Sequence, residues 1–162
     1  MKICFLAPRA CTKSLGQFSF SFPPKGQVNL ERLENLLAIL PRDVRYAFEF
    51  RELSWVSDEV LQVLQRFHAA FCIHELAGYH STLHLTADFT YVRLHGPAAG
   101  KYQGSYSDER LQNWAGQVEV WSRELKAIYI YLDDDQAGYA AGNALALKSM
   151  ILNRAMPGKK YG

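Results

Sequence analysis

Apolar and polar residues alternate along this chain with two periods, and each period marks a kind of element. In "NLERLENLLAIL" (29–40), Leu30, Leu33, Leu37 and Leu40 fall on one helical stripe. A second helix begins after Ser57, which suits an N-cap, with Asp58 and Glu59 in the first turn and Val60, Leu61, Leu64 and Phe67 as its apolar face. Ser107 opens a third, whose face is Leu111, Trp114, Ala115, Val118 and Leu125, and the Ala/Leu-rich run 138–153 is the last. Between them lie short extended runs: "QFSFSFPP" (17–24), stopped by two prolines, "VRYAFEFR" (44–51), "AAFCIHE" (69–75), "TYVRLHG" (90–96) and "KAIYIYLDDD" (126–135). Strands and helices in this order predict βα units on a parallel sheet, with helices packed on one side.

The strands share a further pattern. Side chains alternate between the faces of a strand, so Tyr91, Arg93 and His95 lie on one face and Val92 and Leu94 on the other. Glu49 and Arg51 likewise oppose Phe48 and Phe50. His74 shares a face with Cys72, and Tyr131 and Asp133 share one with Tyr129, against Ile128, Ile130 and Leu132. Four successive strands thus begin apolar and end polar on one side. The face under the helices must be apolar, so the polar face is expected to line a barrel interior or crevice, at the strand ends where sites gather in such folds. Glu49, Arg51, His74, Arg93, His95 and Asp133 should then form one cluster. A buried ion-pair network is the bland alternative, because Glu49 could neutralise Arg51 or Arg93.

Composition bounds the reading without sharpening it. The 162 residues are 49% hydrophobic and 21% charged, the balance of a globular protein of ordinary domain size, and aromatics at 13% supply a core. A net charge of +2 gives no argument for nucleic acid or a membrane surface. No apolar run nears the roughly 20 residues that span a bilayer. Three cysteines, Cys4, Cys11 and Cys72, lack metal-like spacing and read as reduced thiols in a cytoplasmic protein.

Three other stretches carry residue types suited to chemistry. "HELAGYHSTLH" (74–84) is not an HExxH zinc motif, and Gly78 opposes a helix there, so it reads as a solvated loop with no metal named. "DDD" (133–135) carries carboxylates that could meet a cation but commonly face solvent. "GPAAGKYQGSYSDE" (96–109) combines Gly96, Gly100 and Gly104 with a following helix start, an anion-holding arrangement that Asp108 and Glu109 would oppose. No motif identifies a cofactor.

The stretches "YAFEFRELSW", "TADFTYVRLHGP", "YQGSYSDERLQNWA" and "GYAAGNALAL" together resemble the YecE-like family, domain of unknown function 72, from about Leu15 to Ile151. The resemblance implies a TIM-type (β/α) barrel and supplies no reaction. Ser21 of "FSFPP" stands where the family has glutamine, and Glu52 stands where it often has histidine or asparagine. The segment "KICFLAPR" (2–9) looks like the family's third strand. Residues 1–162 are therefore expected to form one YecE-like domain, a partial TIM-type (β/α) barrel with parallel strands, lacking the first βα units and truncated at its N-terminus. A full barrel needs about 200 residues or more. An open sheet would leave edges for self-association.

Two functional readings follow. In the first, the chain derives from an enzyme acting on a small anionic or polyol substrate, with Glu49, His74 and His95 catalytic (Glu49 or His74 as general base) and Arg51, Arg93, Tyr131 and Asp133 binding substrate. In the second, the same groups bind a small anion or a nucleic-acid phosphate without turnover. A remnant without function is a third possibility.

Overall fold

The computed structural model describes residues 2–6, 17–22, 27–97, 104–133 and 138–155, the first two segments by their backbone alone. The chain order is β1 (Lys2–Leu6), β2 (Gln17–Phe22), α1 (Leu30–Ile39), β3 (Arg45–Phe50), α2 (Asp58–Arg66), β4 (Ala70–Leu76), β5 (Tyr79–His80), β6 (Phe89–Leu94), α3 (Asp108–Trp121), β7 (Ala127–Leu132) and α4 (Tyr139–Ala155). Each expected strand and helix from residue 17 onward forms within a few residues of its sequence bounds. Ser57 and Ser107 cap the helices that the sequence assigns to them, and Asn29 caps the first helix, which only its apolar stripe marks. Asn29 accepts from the Arg32 amide at 2.9 Å, Ser57 from Val60 at 3.5 Å and Ser107 from Arg110 at 3.3 Å, each meeting an amide that has no partner inside its helix.

The strand order is β1-β7-β6-β4-β3-β2. The neighbours β2–β3, β3–β4, β4–β6 and β6–β7 all run parallel. This α/β architecture is what a partial TIM-type barrel requires. β5 is a two-residue antiparallel addition to β4, so residues 77–88 link parallel neighbours without a crossover helix.

"KICFLAPR" departs from expectation. β1 does not take the place of a strand preceding β2 in a parallel sheet. It pairs antiparallel with β7 at the opposite edge, Lys2 opposite Tyr131 and Leu6 opposite Ala127. A parallel neighbour needs a crossover of about a dozen residues or more, and residues 7–16 are fewer. The open edge of β7 accepts the segment with no crossover.

Two apolar clusters flank the sheet. On the helix side, Phe48, Phe50, Phe71, Ile73, Val92, Leu94, Ile128, Ile130 and Leu132 pack against Leu33, Val60, Leu64, Leu111, Ala115 and Leu147. Each large side chain fully buried here contributes about 1.5–3 kcal/mol before the entropy of ordering is counted. Trp55, in the turn after β3, stacks on Phe50 with ring centres 5.0 Å apart. On the other face Ala47, Ala70, Cys72, Phe89, Tyr91, Ala127 and Tyr129 form a smaller cluster. Arg45 closes its lower end, lying over the Phe89 ring and donating to the Tyr129 hydroxyl at 2.9 Å. Toward the strands' C-terminal ends this second face turns polar.

Candidate functional site

Parallel register builds the polar patch. His74 lies opposite Arg93, and Arg93 opposite Tyr131, so one row of the inner face carries all three across β4, β6 and β7. Glu49 on β3 reaches the same region and is fully buried. The outward neighbours Phe48, Phe50, Val92 and Leu94 are buried under the helices, and alternation then leaves Glu49, Arg93 and His95 no other direction.

The side chains meet as a connected network. Arg51 Nε donates to Glu49 Oε1 at 2.7 Å, and Arg93 Nη1 donates to Glu49 Oε2 at 2.9 Å. Arg93 grips Asp133 as well, through Nε at 3.1 Å and through a close Nη2 contact. His95, wholly buried, lies between the carboxylates, Nε2 3.5 Å from Glu49 and Nδ1 3.5 Å from Asp133. The Cys72 thiol points at Glu49 Oε2 from 3.9 Å. Glu49 and His95 form the floor. Arg51, Arg93 and Asp133 form the rim, with side chains 21%, 22% and 29% exposed. Among the described residues the bridging sets two carboxylates against two guanidiniums.

Two residues stand at its margin. Tyr131 joins through its ring, stacked on Tyr91 at 4.8 Å. His74 is buried beside Tyr79, its ring centre 5.6 Å from the tyrosine's, with Nδ1 3.4 Å from the Cys72 carbonyl. Among the described residues His74 Nε2 has no hydrogen-bond partner.

Burial and charge set the protonation states. Burial alone would raise the Glu49 carboxyl, but contact with His95, the charge of Arg93 and the hydrogen bond from Arg51 outweigh it and hold the group well below the usual carboxylate range. Burial works against the Arg93 charge. The Asp133 hydrogen bonds, with the charges of Glu49 and Asp133, more than compensate and raise its pKa. His74 is lowered, chiefly by burial, so it favours the neutral imidazole. Cys72 is pushed well up by burial and by the Glu49 charge, and stays a thiol.

Sequence reasoning missed a second polar group. Residues 74–84 are only in part the solvated loop expected: 74–76 continue β4, while 78–80 and 82–84 are exposed. Tyr79 and His80 pair with β4, and His80 Nδ1 sits 2.9 Å from Glu75. A carboxylate in the outward row of β4, where Phe71 and Ile73 face helices, was the available signal. His84 sets its ring edge-on to Phe71 at 6.4 Å. Of the acidic triplet, Asp133 is bound by Arg93, while Asp134 and Asp135 lie outside the described residues, as do Gly100 and Lys101 of the glycine-rich loop. Among the described residues no three His, Cys, Asp or Glu side chains are placed to hold a metal, and no helix is long and apolar enough to cross a membrane.

The fold is shared with solved structures. A DUF72 family protein from Enterococcus faecalis V583 superposes with a TM-score of 0.77 at 18% identity, covering 93% of this chain and 61% of that one. A DUF72 family protein from Thermotoga maritima MSB8 gives a TM-score of 0.75 at 29% identity, covering 85% of this chain and 58% of that one. The chain thus spans about three fifths of the length of these relatives. No curated protein matches it. The family model described as protein of unknown function DUF72 matches residues 4–160, and the chain belongs to that family.

Proposed function

We propose that the strand-end network is the site of an enzyme acting on a small anionic substrate, which the rim guanidiniums of Arg51 and Arg93 bind while His74 carries a proton. The observation that carries this reading is His74 Nε2, buried, without a partner among the described residues, and on the same face as the network. A buried polar atom left unmatched costs about 1–3 kcal/mol, a cost a substrate hydroxyl would remove. His74 suits a base better than Glu49 does. A carboxylate held far below its ordinary pKa is a poor proton acceptor near neutrality. In this reading Glu49 fixes the two arginines and His95, and Tyr131 walls the rim.

An anion is favoured over a polyol here because the guanidiniums reach the solvent-facing edge. The same feature supports the second reading, a module that holds a small anion or a nucleic-acid phosphate without turnover. Calorimetric titration of the folded chain with inorganic phosphate and with citrate tests the binding common to both. Saturable heat that Arg51→Gln removes, with little change in melting temperature, supports an anion site. Absence of binding to either anion, with a melting temperature lowered by several degrees in Arg51→Gln, would identify a purely structural ion-pair network. His74→Asn separates the readings: in an enzyme it abolishes turnover and spares binding, whereas a binding module has no turnover to lose.

A further inference from the structure

On the opposite side of the sheet, where residues 77–88 run without a crossover helix, a cleft of about 340 Å³ opens between β5 and α3. Glu75, His80, Leu83, Arg110, Asn113 and Trp114 are among its walls. Its base is Glu75, whose side chain is 7% exposed. The close contacts to that carboxylate fall on one oxygen. Trp114 Nε1 donates to Oε1 at 3.1 Å, and His80 Nδ1 approaches the same atom at 2.9 Å. Oε2 accepts no hydrogen bond among the described residues, and the nearest cation, Arg110 Nη2, stands 3.9 Å away. Arg110 Nη2 turns instead to His80 Nε2 at 2.9 Å. A guanidinium can only donate, so His80 accepts at Nε2, carries its proton on Nδ1 and is neutral in this arrangement. Arg110 is braced from below by the Tyr106 ring, 5.9 Å away.

The lining therefore presents a buried acceptor, the donors of Arg110, an amide at Asn113 and a second at Gln117, and apolar surface from Leu83. One carboxylate and one guanidinium cancel in charge. An anion in this cleft would face Glu75 and a cation would face Arg110. A hydroxyl meets both, donating to Oε2 and accepting from the guanidinium or an amide. We propose that this cleft binds a neutral polyhydroxyl ring, a sugar unit or cyclitol. Its volume is near the lower end of the roughly 300–1,000 Å³ of small-molecule sites, enough for a single ring. This site shares no residue with the strand-end network, so either can fail without the other.

The probes are glucose and myo-inositol, with n-butylammonium and acetate as charged controls. They are added to the 15N-labelled chain while the Trp114 indole N–H is followed, its resonance assigned by its loss in Trp114→Phe. A polyol should shift that resonance saturably with a Kd on the order of 1 mM, and the charged controls should not. Glu75→Gln replaces the acceptor with an amide and should weaken binding about tenfold. Asn113→Ala, at an exposed helical position, should weaken it severalfold. If Glu75→Gln does not fold, Asn113→Ala and Gln117→Ala decide alone. The proposal is overturned if neither polyol shifts the indole, if a charged probe binds more tightly, or if the folded variants bind as wild type does.

Discussion

Glu49→Gln is the most informative perturbation of the inner face, because one carboxylate holds two cations there. Glu49 is fully buried and takes Arg51 on one oxygen and Arg93 on the other. Glutamine keeps the shape, loses the charge, and turns an N–H₂ group toward at least one guanidinium. Removing one member of a buried ion pair costs about 3–5 kcal/mol. Both arginines keep about a fifth of their side chains in solvent, and Arg93 retains Asp133, so the lower end, about 3 kcal/mol, is expected. For a chain of this size that is a fall in melting temperature of roughly 6–12 °C. The pH dependence supplies an independent check. The folded carboxyl titrates below its unfolded value, so the native state binds fewer protons than the unfolded state as pH drops through about 4.3. The stability from Glu49 is fully present above that value and is lost as pH falls toward the folded pKa. Glutamine does not titrate. Urea unfolding of both proteins at neutral pH and at several points below about pH 4.3 should therefore show a gap that narrows on acidification. A gap under about 1 kcal/mol at neutral pH, or one that stays constant into acid, would refute the account of Glu49 as the charged centre of the network.

Three further outcomes are expected. In a Cys4→Ser, Cys11→Ser background, Cys72 should react with a thiol reagent at neutral pH only as fast as the protein opens, because the thiol is buried and its ionisation suppressed; prompt labelling of the folded protein, followed by absorbance, would contradict this. Ser107→Ala removes the side chain that caps α3 and should cost about 1 kcal/mol in denaturant unfolding, with Ser107→Asp restoring most of it. Asp133→Asn takes a partly exposed negative charge from beside Arg93 and should tighten phosphate binding about tenfold, or 1.4 kcal/mol, by calorimetry; unchanged or weaker binding would argue against an anion at the rim.

Much of this molecule was legible from local pattern. The helices after Ser57 and Ser107 were marked by a capping residue and an apolar stripe, and the one at 30–39 by its stripe alone; both signals act within a few residues and so are written in the sequence. Alternation fixed that Arg93 and His95 share a face opposite Val92 and Leu94, since the period of a strand allows nothing else. The parallel βα reading rested on the same local patterns, whereas the TIM-type barrel came from the resemblance to the family's motifs. Tertiary structure decided the rest. That Glu49 takes both Arg51 and Arg93, and that Arg93 also takes Asp133, depends on how far each strand slides past its neighbour, and no spacing along the chain encodes it. The edge that β1 joins was equally hidden, because "KICFLAPR" pairs with β7, whose residues lie more than a hundred positions later. The Glu75, His80, Arg110 and Trp114 group shows the limit most clearly. Its first two members look like part of a solvated loop when read in order, and only the packing of α3 against β4 brings the indole and guanidinium to them.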